Sequence, residues 1–229
     1  MKDFNDPPKM EVPIAGSDEL FSVHRIFCVG RNYRKHIAEM GYKNHNEDVP
    51  FVLFLKPPEA IVTNGKKIAI PRFTTNFQHE VELVIAMGKE GEKISIEKAG
   101  EYVFGYSVGI DLTCRDIQNE SKKKGHPWTL AKSIPLSAPV SDITPVNKSG
   151  HPKEGHISLS VNGTNRQEGN INEMIRPVTK IISEISEYFT LYPGDLIFTG
   201  TPDGVGKLER GDTILAEIDG LQSLTITII

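Results

Sequence analysis

The stretch His79-Glu80-Val81-Glu82-Leu83-Val84-Ile85-Ala86-Met87 decides how the chain is read. Rich in aliphatic and β-branched residues and free of glycine and proline, it predicts a strand. Side chains on a strand alternate between faces, so Glu80 and Glu82 share one face, roughly 6.6 Å apart along the chain, while Val81 and Leu83 turn to the core. Similar runs at 24–30, 51–55, 67–70 and 102–112 extend the pattern on both sides. Further on, 157–161 followed by Asn162-Gly163 is a strong hairpin signal, because both turn positions tolerate positive φ. Two more strands joined at Gly220 complete the C-terminal part.

Helices are few. Tyr33, Ile37 and Met40 fall at i, i+4 and i+7, which predicts a short amphipathic helix with Gly41 in the C-terminal cap position. A second helix is expected from an N-cap at Thr113 to a stop at Gly125, with Lys122, Lys123 and Lys124 at the negative end of its dipole. The apolar stripe over 173–189 gives the best helix, with Pro177 in its first turns. The fold class is therefore mainly β with a few helices (α+β). Residues 1–22, rich in Pro, Asp and Lys, read as a lead-in with little core of its own, and 23–229 as a single catalytic domain.

Composition excludes several classes. The 229 residues are 24% charged and 38% hydrophobic, too apolar for a disordered polymer and too polar for a membrane protein. Lys and Arg number 26 against 30 Asp and Glu, a net charge of −4 that offers no footprint for nucleic acid or an anionic membrane. Cys28 and Cys114, far apart and without a Cys-x-x-Cys pair, encode neither a disulfide framework nor a zinc site. The first ten residues, MKDFNDPPKM, read as neither a signal nor a transit peptide, so a reducing, cytoplasmic setting and a small-molecule partner are expected.

The chemistry starts from the paired glutamates. An exposed strand with two solvated Glu would show the same pattern, but Asp111 closes the apolar run 102–112 and supplies a third oxygen donor. Three carboxylates suit a hard ion such as Mg2+ or Mn2+ that keeps positions for water or substrate, although an acid at a helix start is often only a cap. His36 and Glu39, three apart on the first helix, are neighbours, so the carboxylate can orient the imidazole for taking a proton from water. A surface ion pair is the alternative. Thr201-Pro202-Asp203-Gly204-Val205-Gly206-Lys207 lacks Walker spacing, so no nucleotide site is expected. His45, His79, His151 and His156 read as structural or loop residues.

Five segments in order carry a resemblance: VGRNYRKHIAEM at 29–40, FLKP at 54–57, HEVELVIAMG at 79–88, DLTCRDIQNESKKKGHPWTLAKS at 111–133 and GDLIFTGTPDGVG at 194–206. Over residues 24–227 the sequence resembles the fumarylacetoacetate hydrolase (FAH) family, in its short single-domain acylpyruvate hydrolase branch. The resemblance implies an FAH-type mixed β-sheet roll or barrel and a homodimer. It implies that Glu80, Glu82 and Asp111 bind Mg2+ or Mn2+, and that His36 and Glu39 form a general-base dyad on a segment that orders as a lid. It further implies that Lys132 reaches the substrate, and that Arg31, Arg115, Gln118 and Thr201 contact its carboxylate and oxo groups. Larger members carry an extra N-terminal domain and a further metal-binding acid upstream of the catalytic His; here 27–35 holds no acid. That departure favours smaller 2-oxo acids over fumarylacetoacetate.

The implied activity is hydrolysis of a carbon–carbon bond in acylpyruvates (2,4-dioxo acids such as acetylpyruvate or fumarylpyruvate), giving pyruvate and a carboxylic acid. Oxaloacetate decarboxylation and keto–enol or double-bond isomerisation use the same electron sink and stay open, as does a non-catalytic metal-stabilised β module.

Overall fold

A computed structural model describes residues 9–41 and 49–229. Its centre is an eight-stranded mixed sheet running Val52–Lys56, Arg25–Gly30, Asp195–Phe198, Val81–Met87, Val103–Ile110, Ala138–Val140 and Ile61–Thr63, with Thr144–Pro145 alongside Val103–Ile110. A five-stranded sheet carries the His156–Val161 and Thr164–Asn170 hairpin, Thr213–Ile218, Leu224–Ile228 and Lys67–Ile68. A small sheet of Thr113–Cys114, Phe77–His79 and Gly206–Lys207 lies beside the strand exits. The curled sheets form a half-barrel, a single mainly β domain as the sequence predicts.

The central strands are buried on both faces. Val81, Leu83, Ile85 and Met87 join a large apolar cluster with the five-stranded sheet and the helix Val178–Ser186. Val84 and Ala86 pack the other way, against Ile26, Phe198, Val140 and the hairpin Glu11–Pro13 with Leu20–Ser22. Val12 is fully buried and Phe21 nearly so, which gives this part of the lead-in a packing role that its polar composition hides. The face that carries the glutamates is thus buried, and an exposed strand with two solvated acids is ruled out.

Several helix boundaries differ from expectation for local reasons. Thr113 is not an N-cap: it belongs to a short strand paired with Gln78, its hydroxyl bonds to the Asp111 carbonyl, and the helix is Arg115–Lys124. Gly125 ends it with φ 69°, in the left-handed region that glycine accepts without penalty. The apolar stripe over 173–189 divides into a turn at Ile171–Glu173 and the helix Val178–Ser186, because Pro177 lacks an N–H and fixes the start as N-cap instead of riding within the first turn. The first helix is Arg34–Glu39, with Tyr33 as its N-cap. Among the described residues no helix is long and apolar enough to cross a membrane.

Candidate metal centre

Strand register builds the site. Val81 pairs with Ile110 and Glu82 with Gly109, so Glu80, Glu82 and Asp111 gather at one end of the antiparallel pair, where the Asp111 amide donates to the Glu80 carbonyl at 2.8 Å. One carboxylate oxygen from each lies within 4.8 Å of the others, and all three residues are buried. Three clustered anions repel in a medium that screens poorly, and an all-oxygen donor set of this spacing fits a hard divalent ion.

The surrounding cations treat the acids unequally. Lys132, at the end of the short helix Thr129–Lys132, donates to Glu80 Oε2 at 2.7 Å and Asp111 Oδ2 at 2.5 Å. Arg115 Nη2 donates to Glu80 Oε1, while Nε reaches Gln78 at 2.7 Å and Nη1 reaches Gln118 at 2.5 Å. Burial alone would push the Glu80 carboxyl up, but Lys132 and Arg115 outweigh it and hold it well below the usual range. Glu82 goes the other way: burial, then Asp111 and Glu80, push it well above. Its Oε2 accepts the Gly200 amide at 2.7 Å. That close approach requires glycine, since φ is 97° and a Cβ would meet the Asn32 Cβ at 2.7 Å.

His36 Nδ1 stands 3.1 Å from Glu39 Oε2, with the His36 side chain 10% exposed and Glu39 32%. Glu39 Oε1 accepts the Gly204 amide at 3.0 Å. Burial raises the Glu39 carboxyl, but the bonds from His36 and Gly204 more than offset it and hold it low, ready to orient a protonated or neutral ring. The glycines of TGTPDG thus present backbone N–H groups to the protein's own carboxylates.

Every site residue singled out in the sequence except Glu39 lines one cavity of about 40 Å³. Glu39 stands behind His36. Such a space holds a few waters. Arg31, on that wall, holds a left-handed backbone with φ 60°, unusual for a non-glycine residue.

Sequence reasoning passed over four residues here. Lys56, fully enclosed, sits 2.8 Å from Asp111 Oδ1 and also donates to Ser137 Oγ at 2.9 Å and to the Lys132 carbonyl. Its place in FLKP was the available signal, but a lysine at a strand end reads as solvated. Lys122 faces the cavity, 5.5 Å from the centre of the Trp128 ring, beyond any helix-dipole role. Asn32 is a buried hub, donating to the Arg176 and Thr199 carbonyls at 3.0 and 2.7 Å and accepting the Arg176 amide at 2.7 Å. Gln167 spans His79, Val81 and Thr201. His79 is buried and lies outside the cavity lining, His151 bonds to the Tyr106 hydroxyl, and His45 lies outside the described residues. Cys28 and Cys114 are buried with thiols pushed up by burial, which disfavours a thiolate nucleophile.

Residues 25–229 match the family described as fumarylacetoacetate (FAA) hydrolase C-terminal. The chain belongs to the fumarylacetoacetate hydrolase family. Among its relatives, the mouse mitochondrial protein named oxaloacetate tautomerase FAHD1 is 47% identical over 199 residues, covering 87% of this chain and 89% of that protein. Oxaloacetate tautomerase YcgM of Escherichia coli K12 is 40% identical over 210 residues, covering 91% of this chain and 94% of its own. The crystal structure of fumarylpyruvate hydrolase from Pseudomonas aeruginosa in complex with Mn2+ and pyruvate superposes with a TM-score of 0.95 at 42% identity, covering 99% of each chain. Family members of several named activities thus share this fold.

Proposed function

We propose that this family member is a Mg2+- or Mn2+-dependent hydrolase that cleaves acylpyruvate-type 2,4-dioxo acids, acetylpyruvate or fumarylpyruvate among them, to pyruvate and a carboxylic acid. The observation that carries the proposal is the buried triad Glu80, Glu82 and Asp111 sharing one cavity with His36, whose other side is held by Glu39. The metal, when bound, polarises the 2-oxo acid end and stabilises the enolate charge that develops there.

The chain's own residues perform the rest. His36, steered by Glu39, takes a proton from the water that attacks the distal carbonyl. Arg31, Arg115 and Gln118 lie where they can hold the substrate's carboxylate and oxo oxygens, and Thr201 adds a hydroxyl. Lys132 brings a buried positive charge to the oxygen on which charge builds, and its partners Asp111 and Glu80 keep it protonated against the opposing effect of burial. Return of the proton from His36 releases pyruvate. A cytoplasmic homodimer goes with this reading; light scattering should give about twice the chain mass of 25.4 kDa.

The test is acylpyruvate loss followed at 2-oxo acid absorbance in chelated protein, then after restoring Mn2+. Turnover that appears only with the ion supports the proposal, whereas metal-dependent melting without turnover on any 2-oxo acid favours a non-catalytic β module. A second reading, keto–enol tautomerisation of oxaloacetate, is favoured by the names of the mouse and Escherichia coli relatives. The same charge sink supports it and also oxaloacetate decarboxylation, but neither needs an attacking water. His36→Ala should therefore lower acylpyruvate cleavage by about 10² to 10⁴ while largely sparing decarboxylation, and a parallel loss of both would remove the water-activating role from His36.

A further inference from the structure

Gln167 lies fully buried on the strand Thr164–Asn170, between the ligand strand and the cavity threonine. One end of its amide faces the Val81 backbone N–H at 3.0 Å, and a backbone N–H can only donate, so that end is the oxygen. The nitrogen then points the other way, 3.0 Å from the Pro202 carbonyl, which can only accept, and 2.8 Å from Thr201 Oγ1. Backbone groups at both ends therefore fix the orientation of the amide.

Two consequences are forced. His79 Nδ1, 2.8 Å from the same Gln167 oxygen, must carry the ring proton, because two acceptors do not share a hydrogen bond. Its Nε2 looks onto Gly206, where even a methyl carbon would come within 3.2 Å. At the far end, Thr201 Oγ1 accepts from Gln167, so its own proton remains for an acceptor in the cavity that it shares with Glu80 and Arg115.

We infer that Gln167 is a positioning residue that fixes the Thr201 hydroxyl as a hydrogen-bond donor to an oxygen of the bound 2-oxo acid, so that the site selects ligands presenting an acceptor there. The inference rests on the cavity being a 2-oxo acid site. Without Gln167 the hydroxyl can rotate and donate to the Pro202 carbonyl, which loses its partner, leaving only lone pairs for the ligand.

The test uses oxalate, an anion resembling pyruvate enolate, and calorimetry on Mn2+-loaded full-length protein. Thr201→Val should weaken oxalate about 10- to 100-fold, the range for a hydrogen bond to a charged group. Gln167→Met should weaken it about 3- to 10-fold, and the double variant should bind like Thr201→Val alone, within about twofold, because the two act as one unit. Independent effects that multiply in the double variant, or an unchanged constant for Gln167→Met in a destabilised protein, overturn the inference and leave Gln167 a packing residue. Should Gln167→Met not fold, Gln167→Glu keeps the shape while its carboxylate draws the Thr201 proton to itself; it should weaken oxalate in the native background and have no effect in the Thr201→Val background. Wild-type protein that holds Mn2+ but no oxalate overturns the 2-oxo acid reading itself.

Discussion

Glu80, Glu82 and Asp111 are carried by two paired strands buried on both faces, whereas His36 and Glu39 ride on a six-residue helix whose N-cap, Tyr33, makes no side-chain cap bond. A helix this short does not hold itself together in water, since isolated helices below roughly 12 residues are marginal. It depends on its moorings: the Tyr33 bridge to Met174, the Ile175 amide on the Asn32 carbonyl at 2.8 Å, and the Gly204 amide on Glu39. The position of the acid triad is thus set by the sheet, while the His36–Glu39 pair is placed by the contacts of one short helix.

That contrast can be broken first at the ligand wall. Glu82→Gln should take turnover to background and abolish Mn2+ binding in calorimetry. The metal-free melting temperature should hold or rise, because one of three mutually repelling carboxylates is gone. A large fall in melting temperature would mean that the wall needs Glu82 for structure as well. On the helix, His36→Ala should cost about 10² to 10⁴ in acylpyruvate turnover, the range for a placed general base, with the Mn2+ constant unchanged. A shifted metal constant would show that helix and wall are not separable.

Lys56→Met probes the support behind the wall. Leaving Asp111 without its enclosed partner should weaken Mn2+ about 10- to 100-fold, and removing one member of a buried pair should lower stability by about 3–5 kcal/mol. Denaturant titration and calorimetry on the same protein check both. The smallest effect is at Lys122, which burial and the nearby Arg115 bring down to about 8. Its proton leaves the folded chain earlier than the unfolded one, so its contribution to stability is present above the ordinary lysine value of 10.5 and is lost as pH falls through about 8. Ligand binding runs oppositely: the cavity loses a positive charge as pH rises through that value, and oxalate should weaken about two- to fivefold. Lys122→Met should flatten this profile.

The parts legible in the sequence were those written in local spacing. Alternation around Glu80 and Glu82, the Asn162-Gly163 turn and the Gly125 stop each depend on neighbours a few positions away, and all three appear in the structure. Asp111 could be named from the end of its apolar run, although its meeting with Glu80 is a matter of register. What stayed hidden was set by distance along the chain. Lys56 meets Asp111, Asn32 meets Arg176, and Gln167 meets both Val81 and Thr201. A polar residue in a strand carries no local mark of the partner that awaits it. The same holds for Val12 and Phe21, whose burial depends on the sheet they cover, and for Pro177, where a continuous apolar stripe masks the boundary that its ring imposes.

The cations gathered on the acid cluster carry one more consequence. With all three carboxylates ionised, Lys56, Lys132 and Arg115 balance the acid cluster itself, and Arg31 and Lys122 add positive charge to the cavity wall. A dication held by the acids would leave the cavity with excess positive charge, and a doubly charged anion would cancel twice as much of it as a singly charged one. Each occupant would then tighten the other by the same factor, so the charges of this cavity suit a dication and a dianion taken up together.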